Sequence, residues 1–161
     1  MPAASEPTRP VGPPTLPVRL RPMGVRVAAA ALGALLVVSV VVVWLALPES
    51  AQESFTLAQR GTVLAMILGA AGIGYALARC RVDADTEGLT LVNGYRTHHL
   101  AWQQVVSVTL RPGSPWAVLD LADGTTRSAM GIQGSDGARA VRHTRELRGL
   151  VDAHAASEPR D

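Results

Sequence analysis

Two apolar stretches decide the fold of this chain: residues 27–47, VAAAALGALLVVSVVVVWLAL, and residues 61–78, GTVLAMILGAAGIGYALA. Neither stretch contains a charged residue. A bilayer core about 30 Å thick requires roughly 20 apolar residues in a helix that rises about 1.5 Å per residue. The first stretch reaches that length, and the second lies near its lower limit. Because only 13 residues separate them, the sequence predicts a two-helix transmembrane hairpin over residues 25–78.

The arginines predict the orientation of this hairpin. All 15 basic side chains are arginine, and four of them precede the first stretch, with Arg19, Arg21 and Arg26 nearest to it. Arg79 and Arg81 follow the second stretch, whereas the connecting loop holds a single arginine. The positive-inside rule therefore predicts a multi-pass protein of the plasma membrane with both termini in the cytoplasm. The five named arginines are expected to contact lipid headgroups of the bilayer at the inner surface.

The terminal segments are predicted to be disordered. Seven prolines occur among the first 22 residues, and proline removes a backbone donor and disfavours helix in the residue before it. Residues 1–24 are therefore expected to form a tail rich in proline and arginine, and residues 156–161 a second, short tail. A flexible tail is favoured over a ligand for SH3-like domains.

The first apolar stretch is also longer than the core of a cleaved signal peptide, so a membrane-spanning helix is favoured over a signal peptide.

Small residues recur four apart along the second apolar stretch. Gly61, Ala65 and Gly69 form one row, and Ala70 and Gly74 begin another. Such rows allow helix backbones to approach closely in lipid. Packing against the first helix within the hairpin is the favoured interpretation. Formation of a homodimer through the same face is the alternative.

After residue 78 the pattern changes to short alternating runs, which are typical of half-buried antiparallel strands. Asn93-Gly94 predicts a two-residue hairpin turn, because both residues tolerate positive φ. Asp136 is a favourable N-cap for a helix that runs to about residue 155. The helix has an apolar stripe formed by Val141, Leu147, Leu150 and Val151. Antiparallel strands closed by one C-terminal helix make an α+β domain over residues 79–155.

Several short motifs in this region carry a family resemblance. They are Val82-Asp83, Glu87-Gly88-Leu89, Val92-Asn93 with Arg96, residues 100–105 (LAWQQV) and the Asp123-Gly124 turn. Residues 79 to about 155 resemble the bacterial PH-like domain of the low-molecular-weight protein antigen 6 type, found in actinobacterial membrane proteins. The resemblance implies a PH-like β-sandwich or barrel capped by the C-terminal helix. It implies no catalytic activity.

The chain departs from PH domains that bind phosphoinositides. Those domains hold phosphates with basic side chains in the first hairpin loop, whereas residues 83–87 here read DADTE. This acidic loop would repel a phosphorylated headgroup. Its acids also mimic the start of a calcium loop, but the twelfth position, which needs a bidentate Glu, is Gly94.

Other chemistry is weakly supported by the residues present. From residue 79 onward, ten arginines face ten acidic residues, so the domain lacks the positive excess that nucleic-acid binding requires. His98 and His99 are adjacent in a strand and point to opposite faces, which excludes shared metal ligation. No nucleophile–base motif is present, so neither a catalytic site, a metal site nor a cofactor is expected. Arg96, Arg111 and Arg127 are the candidate surface for an anion or a partner.

These observations together predict a non-enzymatic, membrane-anchored PH-like interaction module at the cytoplasmic face. Its partner is expected to be a membrane or cytoplasmic protein, or the inner leaflet. The alternative function is a structural or assembly subunit that acts through its transmembrane helices.

Overall fold

The computed structural model describes residues 16–156 of the chain. An N-terminal strand, β1 (Val18–Leu20), precedes three helices: α1 (Gly24–Ala46), α2 (Glu49–Ser54) and α3 (Leu57–Arg79). Six strands follow: β2 (Arg81–Ala84), β3 (Gly88–Asn93), β4 (Arg96–Ala101), β5 (Val105–Thr109), β6 (Trp116–Leu121) and β7 (Thr126–Gln133). The last helix is α4 (Ala138–Ala156), and short 3-10 helices occupy Trp102–Gln104 and Gly134–Asp136.

Helices α1 and α3 are each 23 residues long and pack against each other as an antiparallel pair. Both are long and apolar enough to cross a membrane, with mean hydropathies of 2.7 and 1.8. Helix α3 begins four residues before the predicted start, because Thr56 and Gln59 form a capping box. The Gln59 amide donates to Thr56 Oγ1, and the Thr56 amide donates to Gln59 Oε1, at 3.3 and 2.9 Å.

The segment before α1 contains a strand, so the prediction of disorder over residues 1–24 is wrong for residues 18–20. β1 pairs antiparallel with β2, with Val18 opposite Ala84 and Leu20 opposite Val82. Leu20 is only 3% exposed and belongs to the hydrophobic core. Residues 1–15, and the predicted C-terminal tail from residue 157, lie outside the described residues. The helical hairpin is therefore an insertion between two neighbouring strands of one sheet.

The domain consists of two antiparallel sheets packed face to face. One has the strand order β1-β2-β3-β4, and the other has the order β5-β6-β7. Their inner faces share a core in which Val82, Leu91 and Leu119 are fully buried. Gly131 of β7 lies against the backbone of Arg81, where an added Cβ would come within 2.5 Å. These sheets and the C-terminal helix confirm the predicted α+β architecture.

Helix α4 covers this core but differs from the prediction at its start and on one face. It begins at Ala138, and Asp136 lies in the preceding 3-10 helix rather than at the N-cap of α4. Val141 was expected in the apolar stripe but is 42% exposed. The buried face instead consists of Ala140, Thr144, Leu147, Leu150 and Val151.

The β3–β4 turn is shifted by one residue from the prediction. Asn93 pairs with Arg96 inside the ladder, so the two turn residues are Gly94 and Tyr95. Gly94 has a φ of 63°, which glycine adopts without steric cost. The Asn93 side chain is used elsewhere: it donates to Ser128 O and accepts from the Met130 amide of β7. Asn93 therefore joins the two sheets.

Candidate functional site

The strongest candidate site is the junction at which the helical hairpin meets the domain. Only Cys80 separates α3 from β2. The Cys80 thiol is buried, donates to Ala76 O at 3.5 Å, and accepts from the Gly94 amide at 3.2 Å. The end of α3 is therefore bonded to the β3–β4 turn, and no flexible linker lies between helix and sheet.

The β3–β4 turn also lies along the last two turns of α3. The Tyr95 hydroxyl donates to Gly72 O at 2.8 Å. The Tyr95 ring contacts that of Tyr75, with centroids 6.5 Å apart. Tyrosine rings with a polar tip are typical of a membrane–water interface. The sequence alone does not single out Tyr95, because nothing local shows that this turn reaches the helix.

The other helix of the hairpin is held by Asp136. Its carboxylate accepts from the backbone amides of Met23 and Gly24, at 3.1 and 2.9 Å. Amides in the first turn of a helix have no partner within the helix. A carboxylate at this position accepts hydrogen bonds from them and interacts favourably with the helix dipole. Asp136 was expected to cap α4 and instead caps α1. The domain therefore contacts both ends of the hairpin that lie on its side.

Two of the predicted lipid-contacting arginines are engaged by one carboxylate. Asp83 Oδ1 lies 2.6 Å from Arg19 Nε, and Asp83 Oδ2 lies 2.7 Å from Arg81 Nε. Arg19 and Asp83 are directly opposite each other on β1 and β2. The Asp83 side chain is 19% exposed, so this ion pair is partly shielded from water. Asp83 therefore stabilises the β1–β2 pairing. From the sequence, it was expected in the acidic loop of residues 83–87.

The arginines near the start of α1 line a cavity, which we call the basic pocket. It has a volume of about 450 Å³ and is lined by Arg19, Arg21, Met23, Arg26, Arg139 and His143. The Nε atoms of Arg21 and Arg139 are buried and have no hydrogen-bond partner among the described residues. Arg139 and His143 were missed from the sequence, because they lie more than 110 residues after Arg21. Only the tertiary fold, which places the start of α4 at the same cavity as Arg21, brings them together.

Burial and charge in the basic pocket lower the pKa of His143. Desolvation is the main cause, and the neighbouring Arg139 guanidinium adds to it. Glu146 and Asp136 act in the opposite direction without reversing the shift. His143 is therefore neutral at pH 7, and the positive charge of the pocket comes from its arginines.

Arg96, Arg111 and Arg127 are all exposed and lie at different points around β7. Arg127 lies near the start of β7, whereas Arg111 lines a cavity with Gly134, just past the end of β7. Arg96 lies opposite Asn93, at the end of β7 nearer to Arg127. The surface formed by these three arginines therefore stays a prediction.

The small residues of α3 fall into two groups. A Cβ added at Gly74 would lie 3.8 Å from the Ala29 Cβ of α1, so Gly74 packs inside the hairpin. A Cβ added at Gly61 or Gly69 would meet nothing within 4 Å. Ala65 and Ala70 are exposed as well. The row that contains Gly74 supports packing within the hairpin, and the Gly61–Ala65–Gly69 row does not contribute to it.

Residues that could have carried metal or aromatic-ligand chemistry have structural roles. Among residues 16–156, no group of three or more His, Cys, Asp or Glu could hold a metal ion. His99 Nδ1 lies 3.0 Å from the Thr90 hydroxyl. Trp102 is buried, donates from Nε1 to Asp85 O, and stacks on His154 of α4 with centroids 4.1 Å apart. Trp102 therefore belongs to the contact between α4 and the core.

Comparison with known proteins agrees with this architecture. Residues 79–150 match the family described as Bacterial PH domain. Uncharacterized proteins Mb1452 of Mycobacterium bovis and Rv1417 of Mycobacterium tuberculosis are each 33% identical to the chain over 97 residues. These residues make up 60% of the chain, and the chain spans 63% of the length of each relative. No solved structure matches the chain significantly.

The family match and the mycobacterial relatives confirm the resemblance seen in the motifs between residues 82 and 124. The two antiparallel sheets closed by α4 provide the structural basis for this match. Residues 79–150 of this chain are therefore similar to the family described as Bacterial PH domain.

Proposed function

We propose that this protein is a non-enzymatic interaction module that is anchored in the plasma membrane. Helices α1 and α3 would cross the bilayer, and the PH domain would lie at the cytoplasmic face. The observation that carries this proposal is the double attachment of the domain to the hairpin. Cys80 bonds α3 to the β3–β4 turn, and Asp136 caps α1.

The attachment limits what the domain can reach. A flexible linker would let a domain search a volume that grows with linker length. Here one residue connects α3 to β2, so the binding surfaces stay near the lipid. Partners would be the inner leaflet or proteins close to it, and affinity would come from high effective concentration at the membrane.

The arginine distribution supports the proposed orientation. The ends of α1 and α3 that adjoin the domain carry Arg21, Arg26 and Arg79, whereas the α2 loop at the opposite end has Glu49, Glu53 and a single arginine. Under the positive-inside rule, the domain and both termini lie in the cytoplasm.

The test is a topology experiment on the full-length chain. A fluorescent reporter that matures only in the cytoplasm, fused after residue 161, should be active, and a phosphatase that matures only outside should be active when inserted after residue 51. The protein should also remain in the membrane pellet after alkaline carbonate extraction. Reversed reporter activities, or release by carbonate, would contradict the proposal.

A second candidate function is assembly through the transmembrane helices, which the free space beside Gly61 and Gly69 favours. Under this alternative, Gly69→Leu would shift full-length protein in lipid nanodiscs from a dimer to a monomer. Ala71→Leu, at an exposed position of the same helix, is the matched control. An unchanged oligomeric state in Gly69→Leu would exclude assembly through this row.

A further inference from the structure

The basic pocket contains more positive charge than the described chain neutralises. Arg19 is paired with Asp83, but neither of the two ion pairs in the described residues includes Arg21, Arg26 or Arg139. The nearby Asp136 carboxylate already accepts from two backbone amides. The pocket therefore presents a net positive charge of two or more to any ligand.

One nitrogen of each of two half-buried guanidinium groups in this pocket also lacks a hydrogen bond. The Nε atoms of Arg21 and Arg139 are shielded from solvent and have no acceptor in the described residues. A buried polar group without a partner is costly, and more so when it is charged. An anion with several acceptor oxygens would pair with the guanidinium groups that line the pocket. Guanidinium groups bind phosphate in this way, through paired N–H donors.

The position of the pocket identifies the source of the anion. Helix α1 has 23 residues and is about 34 Å long, at about 1.5 Å per residue. This exceeds a hydrocarbon core of about 30 Å by roughly one turn, so Gly24 and Arg26 would lie at the depth of the lipid phosphates. Met23 and Val27 are exposed apolar side chains beside the pocket and would contact acyl chains.

We propose that the basic pocket binds the phosphate of an anionic phospholipid headgroup. This inference deepens the proposed function and rests on the anchoring of α1 and α3 in the membrane. Arg21 comes from the segment after β1, Arg26 from α1, and Arg139 from α4, so a bound phosphate would join all three elements. The site is distinct from the first hairpin loop of the domain, where Asp85 and Glu87 would repel the same headgroup.

The experiment uses purified full-length protein reconstituted in nanodiscs of phosphatidylcholine with increasing fractions of phosphatidylglycerol. After transfer to detergent, native mass spectrometry measures how much of each lipid the protein retains. Arg26→Gln changes an exposed side chain of the pocket and cannot disturb the core. The double variant Arg21→Gln/Arg139→Gln removes both unpartnered Nε groups. Arg145→Gln, an exposed arginine of α4 outside the pocket, is the matched control.

The expected result is selective retention of phosphatidylglycerol by wild type and by Arg145→Gln. Retention should fall about tenfold in Arg26→Gln and further in the double variant, since each lost charge-assisted bond weakens binding by about that factor. Equal retention by all four proteins overturns the proposal. A second arm adds inorganic phosphate as a competitor. Arginine-dependent binding of inorganic phosphate without enrichment of phosphatidylglycerol would overturn the lipid source and assign the pocket to free phosphate.

An experiment that contradicts phosphate binding by the basic pocket can be distinguished from one that contradicts membrane anchoring. Carbonate extraction reports on α1 and α3 alone, and the arginine variants leave both helices apolar. A protein that stays in the membrane but retains lipids without selectivity would contradict the pocket and leave the anchor intact. Equal melting temperatures for Arg26→Gln and Arg145→Gln would show that differences in retention do not arise from unfolding.

Discussion

At the scale of single residues, Asp136 determines how the hairpin is attached to the domain. Its carboxylate lies 112 residues from Gly24 in sequence and 2.9 Å from the Gly24 amide in space. The approach is close enough that a Cβ added at Gly24 would lie 2.6 Å from Asp136 Oδ1. Glycine at this position therefore allows the carboxylate to reach the first turn of α1.

The first prediction concerns this cap. Asp136→Ala should reduce the free energy of unfolding by about 1 kcal/mol, the usual cost of a lost N-cap. Hydrogen exchange of the Met23 and Gly24 amides should become faster, because both lose their acceptor. Asp152→Ala, which removes the same charge from an exposed position of α4, is the control. Exchange rates equal to those of the control would contradict the assignment of Asp136 as the cap of α1.

The second prediction concerns the charge on His143. Its pKa is held below the usual 6.5 by desolvation first and by Arg139 second. Arg139→Gln should therefore raise the pKa of His143, and Arg145→Gln should change it less. Titration followed by NMR of the imidazole resonances measures both effects. An unchanged pKa in Arg139→Gln would show that the two side chains are not neighbours.

The same shift predicts how stability depends on pH. The unfolded chain binds a proton at His143 more readily than the folded chain, since the folded pKa is lower. The free energy of unfolding therefore decreases as the pH falls from 6.5 toward the pKa of His143 in the folded chain. Denaturant unfolding of wild type across this range should show the decrease, and the decrease should be smaller in Arg139→Gln.

At the scale of elements, the short strand β1 connects the hairpin to both the sheet and the core. Its three residues extend the β2 edge and place Leu20 in the core. They also place Arg19 opposite Asp83, which completes a pair of ionic contacts. Because β1 precedes α1 and β2 follows α3, this pairing brings both ends of the hairpin to one side of the sheet.

The third prediction tests this strand. Leu20→Ala should lower the free energy of unfolding by about 2–5 kcal/mol, as for other buried leucines. Val106→Ala, at a β5 position that is 62% exposed, is the control and should change stability little. Thermal and denaturant unfolding of full-length protein in detergent measure the difference. Similar stabilities for the two variants would contradict the role of β1 in the core.

At the scale of the whole molecule, the chain is a small β-domain interrupted by a helical hairpin. β1 and β2 are neighbours in the sheet although residues 21–80 separate them in sequence. Neighbouring antiparallel strands are ordinarily joined by loops of about 2–5 residues. The hairpin therefore occupies the position of a β-turn, and both of its domain-proximal ends are fixed by the same sheet.

The fourth prediction follows from this arrangement. Replacing residues 24–79 by a short Gly-Ser linker should yield a soluble domain that unfolds cooperatively, because the β1–β2 turn needs no helices. A fragment of residues 80–156 that lacks β1 should be less stable, since it exposes the edge of β2 and the core beside Leu20. Circular dichroism melts compare the two proteins. Equal stabilities would show that β1 does not belong to the domain.

Local patterns are sufficient to predict much of this molecule. Two long apolar stretches predict helices because length and hydropathy are properties of contiguous residues. Alternating residues and the glycine of the Gly94 turn predict a hairpin for the same reason, with an error of one residue. The motifs around Trp102 indicated the similarity to the bacterial PH domain family that the comparison also finds.

The sequence by itself therefore determined the apolar helices, the antiparallel α+β character of the rest, and the excess of arginine around the hairpin. Only the tertiary structure decided that residues 18–20 complete the sheet, that Asp136 caps α1, and that Arg139 meets Arg21. Each of these contacts joins residues more than 60 positions apart. A three-residue strand or a single carboxylate is stabilised by a partner that is distant in sequence and not by its neighbours. No local pattern therefore predicts it.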